Sequence, residues 1–183
     1  MKFIFDFDDV LFYTTKHRLG HWYPFLEKLG ISYKEIDEYY KKGRAEKFSL
    51  KKVLAHFSLQ EESYEEIMRD AKSFLNEELV NIVKTIGKEN CYIITYGEKE
   101  FQLDKIKRTG IGSLFSEIIV VSIDEKQDIL EEICTRHKDE KIVFIDDKVK
   151  HLEDIDFKKC PNLKTILYDE QGLNKLKAEI NKI

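Results

Sequence analysis

Three aspartates stand within four positions near the start of the chain. Asp6, Asp8 and Asp9 follow the apolar run "KFIF" and precede Val10, Leu11 and Phe12. Carboxylates crowded at the end of a buried segment each need water, a donor or a cation to stay charged. In extended backbone, residues i and i+2 project to the same side, so Asp6 and Asp8 can flank one reacting atom. A second acidic pair, Asp146 and Asp147, follows the apolar run "KIVFI". Two further runs lead into different chemistry. "CYIIT" closes on Thr95 and passes into Tyr96 and Gly97, while "EIIVV" is followed, beyond Ser122, by Lys126 at the start of a helical pattern. Two acidic pairs, a hydroxyl and an ammonium can hold a divalent cation and a phosphate together. Hard oxygen ligands suit Mg²⁺, and lysine serves phosphate as a point charge.

These residues need a scaffold that gathers strand ends. The runs at 2–5, 91–95, 117–121, 141–145 and 163–167 are continuously apolar, the texture of parallel strands covered on both faces. Helical patterns separate the later runs. Phe101 and Ile106 lead to a stop at Gly110; Ile129, Leu130, Ile133 and His137 share a stripe; Leu173, Leu176 and Ile180 close the chain. Strands alternating with helices predict an open, Rossmann-like α/β fold. Ligands in such sheets collect beyond the carboxyl ends of the strands, where the residues named above stand.

The first connection is longer than this scheme needs. A crossover takes only about a dozen residues, yet no convincing strand lies between the first run and Cys91. Two S-x-x-E boxes, Ser32 to Glu35 and Ser63 to Glu66, predict helix starts. Leu19, Trp22, Leu26 and Leu29 form one apolar stripe, with Pro24 a potential interruption, and Leu50, Val53, Leu54 and Phe57 form another. The surplus is read as a helical subdomain over 14–84, inserted into a core of 1–13 and 85–183.

Composition narrows the class. A chain of 183 residues with 42% apolar residues is a folded globular protein. Its net charge of −4 speaks against general nucleic-acid binding, which wants a basic surface. Cys91, Cys134 and Cys160 lie far apart without metal-type spacing, which predicts reduced thiols and a cytoplasmic location. No stretch approaches the ~20 apolar residues of a membrane span.

Taken in order, the strand-end residues resemble the motifs of the haloacid dehalogenase-like superfamily of phosphohydrolases. "DFDDV" at 6–10 is similar to its DxDx(T/V) motif, "YIITYG" to its second motif, Lys126 in "SIDEKQDIL" to its third, and "IVFIDDK" at 141–148 to its fourth. The segment "FQLDKIKRTGIGSLFSEIIVVS" also looks like the family's stretch between the second and third motifs. The resemblance implies a parallel sheet of order 5-4-1-2-3, a helical cap inserted after the first motif, and Mg²⁺-dependent cleavage of a small phosphorylated metabolite. It implies Asp6 as the nucleophile that forms an aspartyl-phosphate, and Asp8 as the acid that protonates the leaving oxygen and then activates water. Mg²⁺ would be held by Asp6, the Asp8 main-chain carbonyl and Asp147, assisted by Asp146. Thr95, Tyr96, Gly97 and Lys126 would bind the phosphoryl group. Lys99 and Lys105 are rivals for the lysine. A phosphomutase or phosphotransferase would use the same intermediate; a receiver-like signalling domain or a phospho-ligand binder without turnover is the alternative of another class.

Two departures from the family pattern stand out. "KQD" replaces the frequent KPD, and His151 and Leu152 occupy positions where many members carry a second acid. From the insert, His17, Arg18, Trp22, Lys41, Lys42 and Arg44 are candidates for substrate contact, with Trp22 and Arg44 favoured as selecting residues.

Overall fold

The structure, a computed structural model, describes residues 1–42 and 47–182. Five strands, β1 (Lys2–Phe5), β2 (Cys91–Tyr96), β3 (Glu117–Val121), β4 (Ile142–Asp146) and β5 (Leu163–Leu167), form one parallel sheet. Its order is β3-β2-β1-β4-β5, as the family resemblance implies. β1 is central and pairs Phe3 with Cys91 on one side and Val143 on the other.

Alternation along the strands divides the interior in two. Phe3, Phe5, Cys91, Ile93, Val143 and Ile145 face one side, and Ile4, Tyr92, Ile94, Ile142 and Phe144 the other. Helices cover both faces. The first side packs with Phe101 and Ile106 of α7 (Lys99–Thr109) and Leu176 of α10 (Gly172–Ile180). The second packs with Leu130, Ile133 and Cys134 of α8 (Gln127–Arg136). α7 ends at Gly110, whose φ of 74° suits a residue without a Cβ. All three cysteines are buried and free.

The long first connection contains α1 (Thr14–His17), a π-helical turn (Arg18–Trp22), α2 (Tyr23–Lys28), α3 (Tyr33–Lys42), α4 (Leu50–His56), α5 (Glu61–Met68), a 3₁₀ turn (Ala71–Phe74) and α6 (Glu77–Ile86). The Ser32–Glu35 box forms, with the Glu35 carboxylate accepting from Ser32 N at 2.9 Å. The Ser63–Glu66 box does not start a helix, because α5 already begins at Glu61. Glu61 and Glu62 in its first turn complement the helix dipole instead.

The stripe from Leu19 to Leu29 is broken. Trp22 and Leu26 are buried, but Leu19 and Leu29 are 45% and 48% exposed. The π turn shifts the helical phase at Leu19, and Leu29 lies beyond the end of α2. Pro24 directly follows the π-helical turn and does not interrupt the helical path, which runs on to Lys28.

α6 is the last long helix before β2. α6 packs with the sheet, its Leu79, Val80 and Val83 joining the cluster of Phe3 and Phe5. Its Glu78 pairs with Lys177 of α10 at 2.6 Å. Asn76, the cap of α6, donates to Val10 O at 3.1 Å and to the Tyr168 hydroxyl at 2.7 Å. Helix α6 thus makes direct contacts with the α/β layer.

Candidate active site

The carboxyl ends of β1, β2 and β4 and the loop after β3 meet at one place. Asp6 leaves β1 with its N–H donated to Ile145 O at 2.8 Å, so neighbouring strands fix where its carboxylate starts. Asp146 is the last residue of β4, and Lys126 immediately precedes α8. Lys126 Nζ donates to Asp6 Oδ1 at 2.5 Å and to Asp146 Oδ2 at 2.6 Å, with all three side chains buried. One oxygen each from Asp6, Asp146 and Asp147 lie within 4.8 Å of one another.

Burial pushes the Asp6 carboxyl up to about 7, against the pull of Lys126 and with the repulsion of Asp146 and Asp8. Asp146 is held below the usual carboxylate range. Burial opposes this, but His151 and Lys126 outweigh it. Lys126 itself is raised, since Asp6 and Asp146 overcome the cost of burying an ammonium.

Asp146 and Asp147 differ in what they still need. Asp146 Oδ2 accepts from Lys126 and from His151 Nδ1 at 2.9 Å, and its Oδ1 accepts from Lys148 N at 2.9 Å. Asp147 Oδ1 is buried without a hydrogen-bond partner. Burial and the neighbouring Asp146 push Asp147 up to about 6. Three converging carboxylates, one with an unpartnered buried oxygen, fit a divalent cation, with Asp147 the ligand that most needs one. Thr95 Oγ1, at the end of β2, is also buried without a partner.

A test of Asp147 follows from the sign of its shift. A carboxyl that binds its proton more tightly in the folded chain adds stability at low pH and withdraws it as pH rises through about 6. In cation-free protein at pH 8, Asp147→Asn is expected to raise the unfolding midpoint by ~2–4 °C, about 1 kcal/mol after solvent screening of this partly buried group. At pH 4 the gain should vanish. Calorimetry in chelator at both pH values checks this; a lowered midpoint at pH 8 would mean the charge is already satisfied.

Asp8 faces a different set of partners. Its Oδ1 accepts from Thr14 Oγ1 and Lys105 Nζ, and its Oδ2 from Gln102 Nε2 at 2.7 Å. Lys105 is 1% exposed and lies among the rings of Phe7, Phe12 and Phe101, 5.0–5.6 Å from their centroids. Burial opposes ionisation of Asp8, but Lys105, Thr14 and Gln102 hold it below the usual carboxylate range. Asp9 accepts from Thr15 N at 2.8 Å and Thr15 Oγ1 at 2.6 Å, capping α1.

Of the rival lysines, Lys126 reaches Asp6, Lys105 reaches Asp8, and Lys99 is exposed. Tyr96 O accepts from Gln102 Nε2 at 2.9 Å. A Cβ on Gly97 would lie 2.4 Å from the same amide nitrogen, so Gly97 gives Gln102 room to reach Asp8. Lys105, Gln102 and His151 lie outside the motifs. Lys105 carried a signal: it stands between Phe101 and Thr109 at helical spacing, on a buried stripe where lysine is out of place.

The insert and the sheet layer border an open cavity of about 240 Å³. Asp8, Lys105 and Asp147 line it from the sheet side, and Arg18, Trp22 and Phe48 from the insert. Trp22 offers a ring face only, since its Nε1 donates to His17 Nδ1 at 3.0 Å. His17, a contact candidate by sequence, is fully buried, with Nε2 3.1 Å from Ile67 O; burial pushes it down to about 4. Its role is packing. Lys41 pairs with Asp37 at 2.6 Å. Arg44 lies outside the described residues.

No family model matches the chain, and no curated protein sequence does. Solved structures do match. A provisionally assigned haloacid dehalogenase-like hydrolase from Burkholderia xenovorans LB400 is similar at 17% identity, over 93% of this chain and 86% of that one, with a TM-score of 0.66. The chain has the haloacid dehalogenase-like fold. A provisionally assigned beta-phosphoglucomutase from Thermotoga maritima shares that fold with a TM-score of 0.60, at 18% identity over 97% and 99% of the two chains. So does YfnB from Bacillus subtilis, a provisionally assigned hydrolase of this type solved with magnesium bound, with a TM-score of 0.56, at 15% identity over 98% of both chains. No described helix is long and apolar enough to cross a membrane.

Proposed function

We propose that the chain is a Mg²⁺-dependent phosphohydrolase that cleaves small phosphomonoesters through an aspartyl-phosphate on Asp6. The observation that carries this reading is the cluster of Asp6, Asp146, Asp147 and Lys126, in which a buried Asp147 oxygen has no partner. Burying such an oxygen is costly unless a ligand completes it.

In the first half-reaction the Asp6 carboxylate attacks phosphorus, and the bond to the leaving oxygen breaks with its electron pair on that oxygen. Asp8 protonates it. Asp8 rests ionised beside Lys105, so the proton arrives with the ester, whose second ionisation lies near pH 6. In the second half-reaction water attacks the phosphorus of the aspartyl-phosphate while Asp8 takes the water proton, releasing inorganic phosphate and restoring Asp6. Asp8 Oδ2 accepts only from Gln102 among the described partners, which leaves a lone pair for this exchange.

Asp6, Asp147 and the Asp8 carbonyl would hold Mg²⁺, with Asp146 anchoring Lys126. The bound cation supplies charge compensation between carboxylate and phosphate. Lys126 adds fixed positive charge, and the unpartnered Thr95 hydroxyl supports a role as donor to a phosphoryl oxygen. The insert from Thr14 to Phe74 is the cap, excluding water and selecting the leaving group.

Hydrolysis of p-nitrophenyl phosphate is expected with Mg²⁺, and loss of at least ~10²-fold in rate on chelation, the scale of removing a preorganised charge. Unchanged turnover in EDTA would remove the mechanism. The Thermotoga neighbour is named a phosphomutase, so the acceptor is tested too. Equal release of p-nitrophenol and inorganic phosphate marks water; a shortfall of phosphate marks transfer to another acceptor.

A further inference from the structure

Arg18 opens the π-helical turn and lines the cavity from the insert side. It differs from the other described arginines. Arg69 pairs with Glu66, Arg108 with Glu65 and Asp104, and Arg136 with Glu117 and Glu132. Arg18 has no carboxylate partner among the described residues. Its guanidinium lies 4.5 Å over the ring of Tyr40, and its Nε is buried without a hydrogen-bond partner.

Stacking occupies one face of the guanidinium and leaves its donors directed outward in the plane. Arginine has five donors and no acceptor, so whatever completes it brings acceptor oxygens. A guanidinium stacked on a ring, with its Nε buried, favours an anion over a neutral hydroxyl, because Coulomb attraction grows as the local dielectric falls. Trp22 and Phe48 add apolar wall there, and the Trp22 N–H is already donated to His17. No carboxylate among the described residues fills the place. Meanwhile Lys126 and Lys105 are committed to Asp6 and Asp8.

We infer that Arg18 recognises a second anionic group on the substrate, a carboxylate or another phosphate. The inference rests on the phosphohydrolase reading above and names the substrate class. One end of the ester presents its phosphorus to Asp6, and the other presents oxygens to Arg18. The cavity volume of about 240 Å³ is below the ~300–1,000 Å³ of drug-sized ligand sites. A short carbon skeleton between the two ends suits that volume.

Three esters of matched length test this: propyl phosphate, 2-carboxyethyl phosphate and propane-1,3-diyl bisphosphate. The wild type is expected to prefer one or both two-anion esters over propyl phosphate by about 10–100-fold in kcat/KM, the worth of one charged hydrogen-bonded contact. The difference should lie mainly in KM. Arg18→Met should shrink that ratio to about threefold or less, and Arg18→Lys, which keeps charge without the fork, should leave an intermediate ratio. The stronger of the carboxylate and bisphosphate arms identifies the group.

Calorimetric binding of 3-phosphonopropanoate and propylphosphonate, which cannot be hydrolysed, separates this inference from its parent. If no ester turns over but the carboxylate still confers Arg18-dependent affinity, the phosphohydrolase reading fails and the anion subsite stands. Equal binding of the two phosphonates, or a preference that survives both substitutions, overturns the subsite. Circular dichroism monitors folding, and Arg18→Lys alone decides if the Met variant unfolds.

Discussion

Asp6→Asn is expected to lower kcat for p-nitrophenyl phosphate by at least about 10³-fold while the fold persists. Losses of that size accompany removal of a nucleophile, since every later step depends on it. The amide has nearly the shape of the carboxylate but no charge with which to attack phosphorus. Stability should change little. Asp6 already binds a proton unusually tightly because burial, Asp146 and Asp8 all disfavour its charge. Removing that charge does not strand Lys126, whose Nζ keeps Asp146 at 2.6 Å. Steady-state kinetics and thermal unfolding measure the two effects separately. Mass spectrometry of acid-quenched samples adds a third readout, because the wild type should carry a phosphoryl group that the variant lacks. A variant that retains its rate and still becomes phosphorylated would move the nucleophile elsewhere.

Asp6 is legible in the amino-acid sequence because the signal that marks it is local. β1 is a short apolar run that changes abruptly to acid, and the same change recurs at Asp146. In a parallel sheet those changes of character mark strand ends, and strand ends are where parallel topology gathers side chains. Lys126 is placed by the same logic. Lys105 is not, because its role depends on which way α7 rolls against the sheet. Along the chain its place on the Phe101–Thr109 stripe marks it as buried; only in space does it meet Asp8 within a cage of three phenylalanine rings.

His151 is a similar case. By sequence its position lacks an acid, yet its Nδ1 meets Asp146 and its Nε2 meets Asp124, each at 2.9 Å. A protonated imidazole there supports Asp146 where the family pattern offers another carboxylate. Burial disfavours that charged form, but the two aspartates raise the ring above its ordinary value. What covers α6 is the other illegible feature. α6 has the same amphipathic pattern as the helices before it, and only tertiary contacts, such as Val83 O to Cys91 Sγ at 3.9 Å, assign it to the sheet. Periodicity reports that a helix has a buried face, not what buries it.

Lys105→Met is expected to have the second large effect, and its signature is leaving-group dependence. Removing one partner of a buried ion pair typically costs ~3–5 kcal/mol. Here Asp8 keeps Thr14 and Gln102 as donors and a quarter of its side chain is exposed. A loss near ~3 kcal/mol, or ~6–12 °C in midpoint, is therefore the expectation. Activity distinguishes a packing role from a positioning one. p-Nitrophenolate leaves without help, whereas an alkoxide needs a proton in flight, so only alkyl esters depend fully on where Asp8 points. With the Lys105 contact gone, Oδ1 loses its charged anchor and the carboxyl is free to rotate about its last bond. The kcat/KM for propyl phosphate should then fall about 10–100-fold further than that for p-nitrophenyl phosphate, within the range of general acid catalysis. Asp8→Asn should exaggerate the same contrast, and Lys105→Arg should restore part of it by returning a charged donor to Oδ1. If Lys105→Met loses stability but slows both esters equally, Lys105 holds the core together and leaves the aim of Asp8 to Gln102 and Thr14.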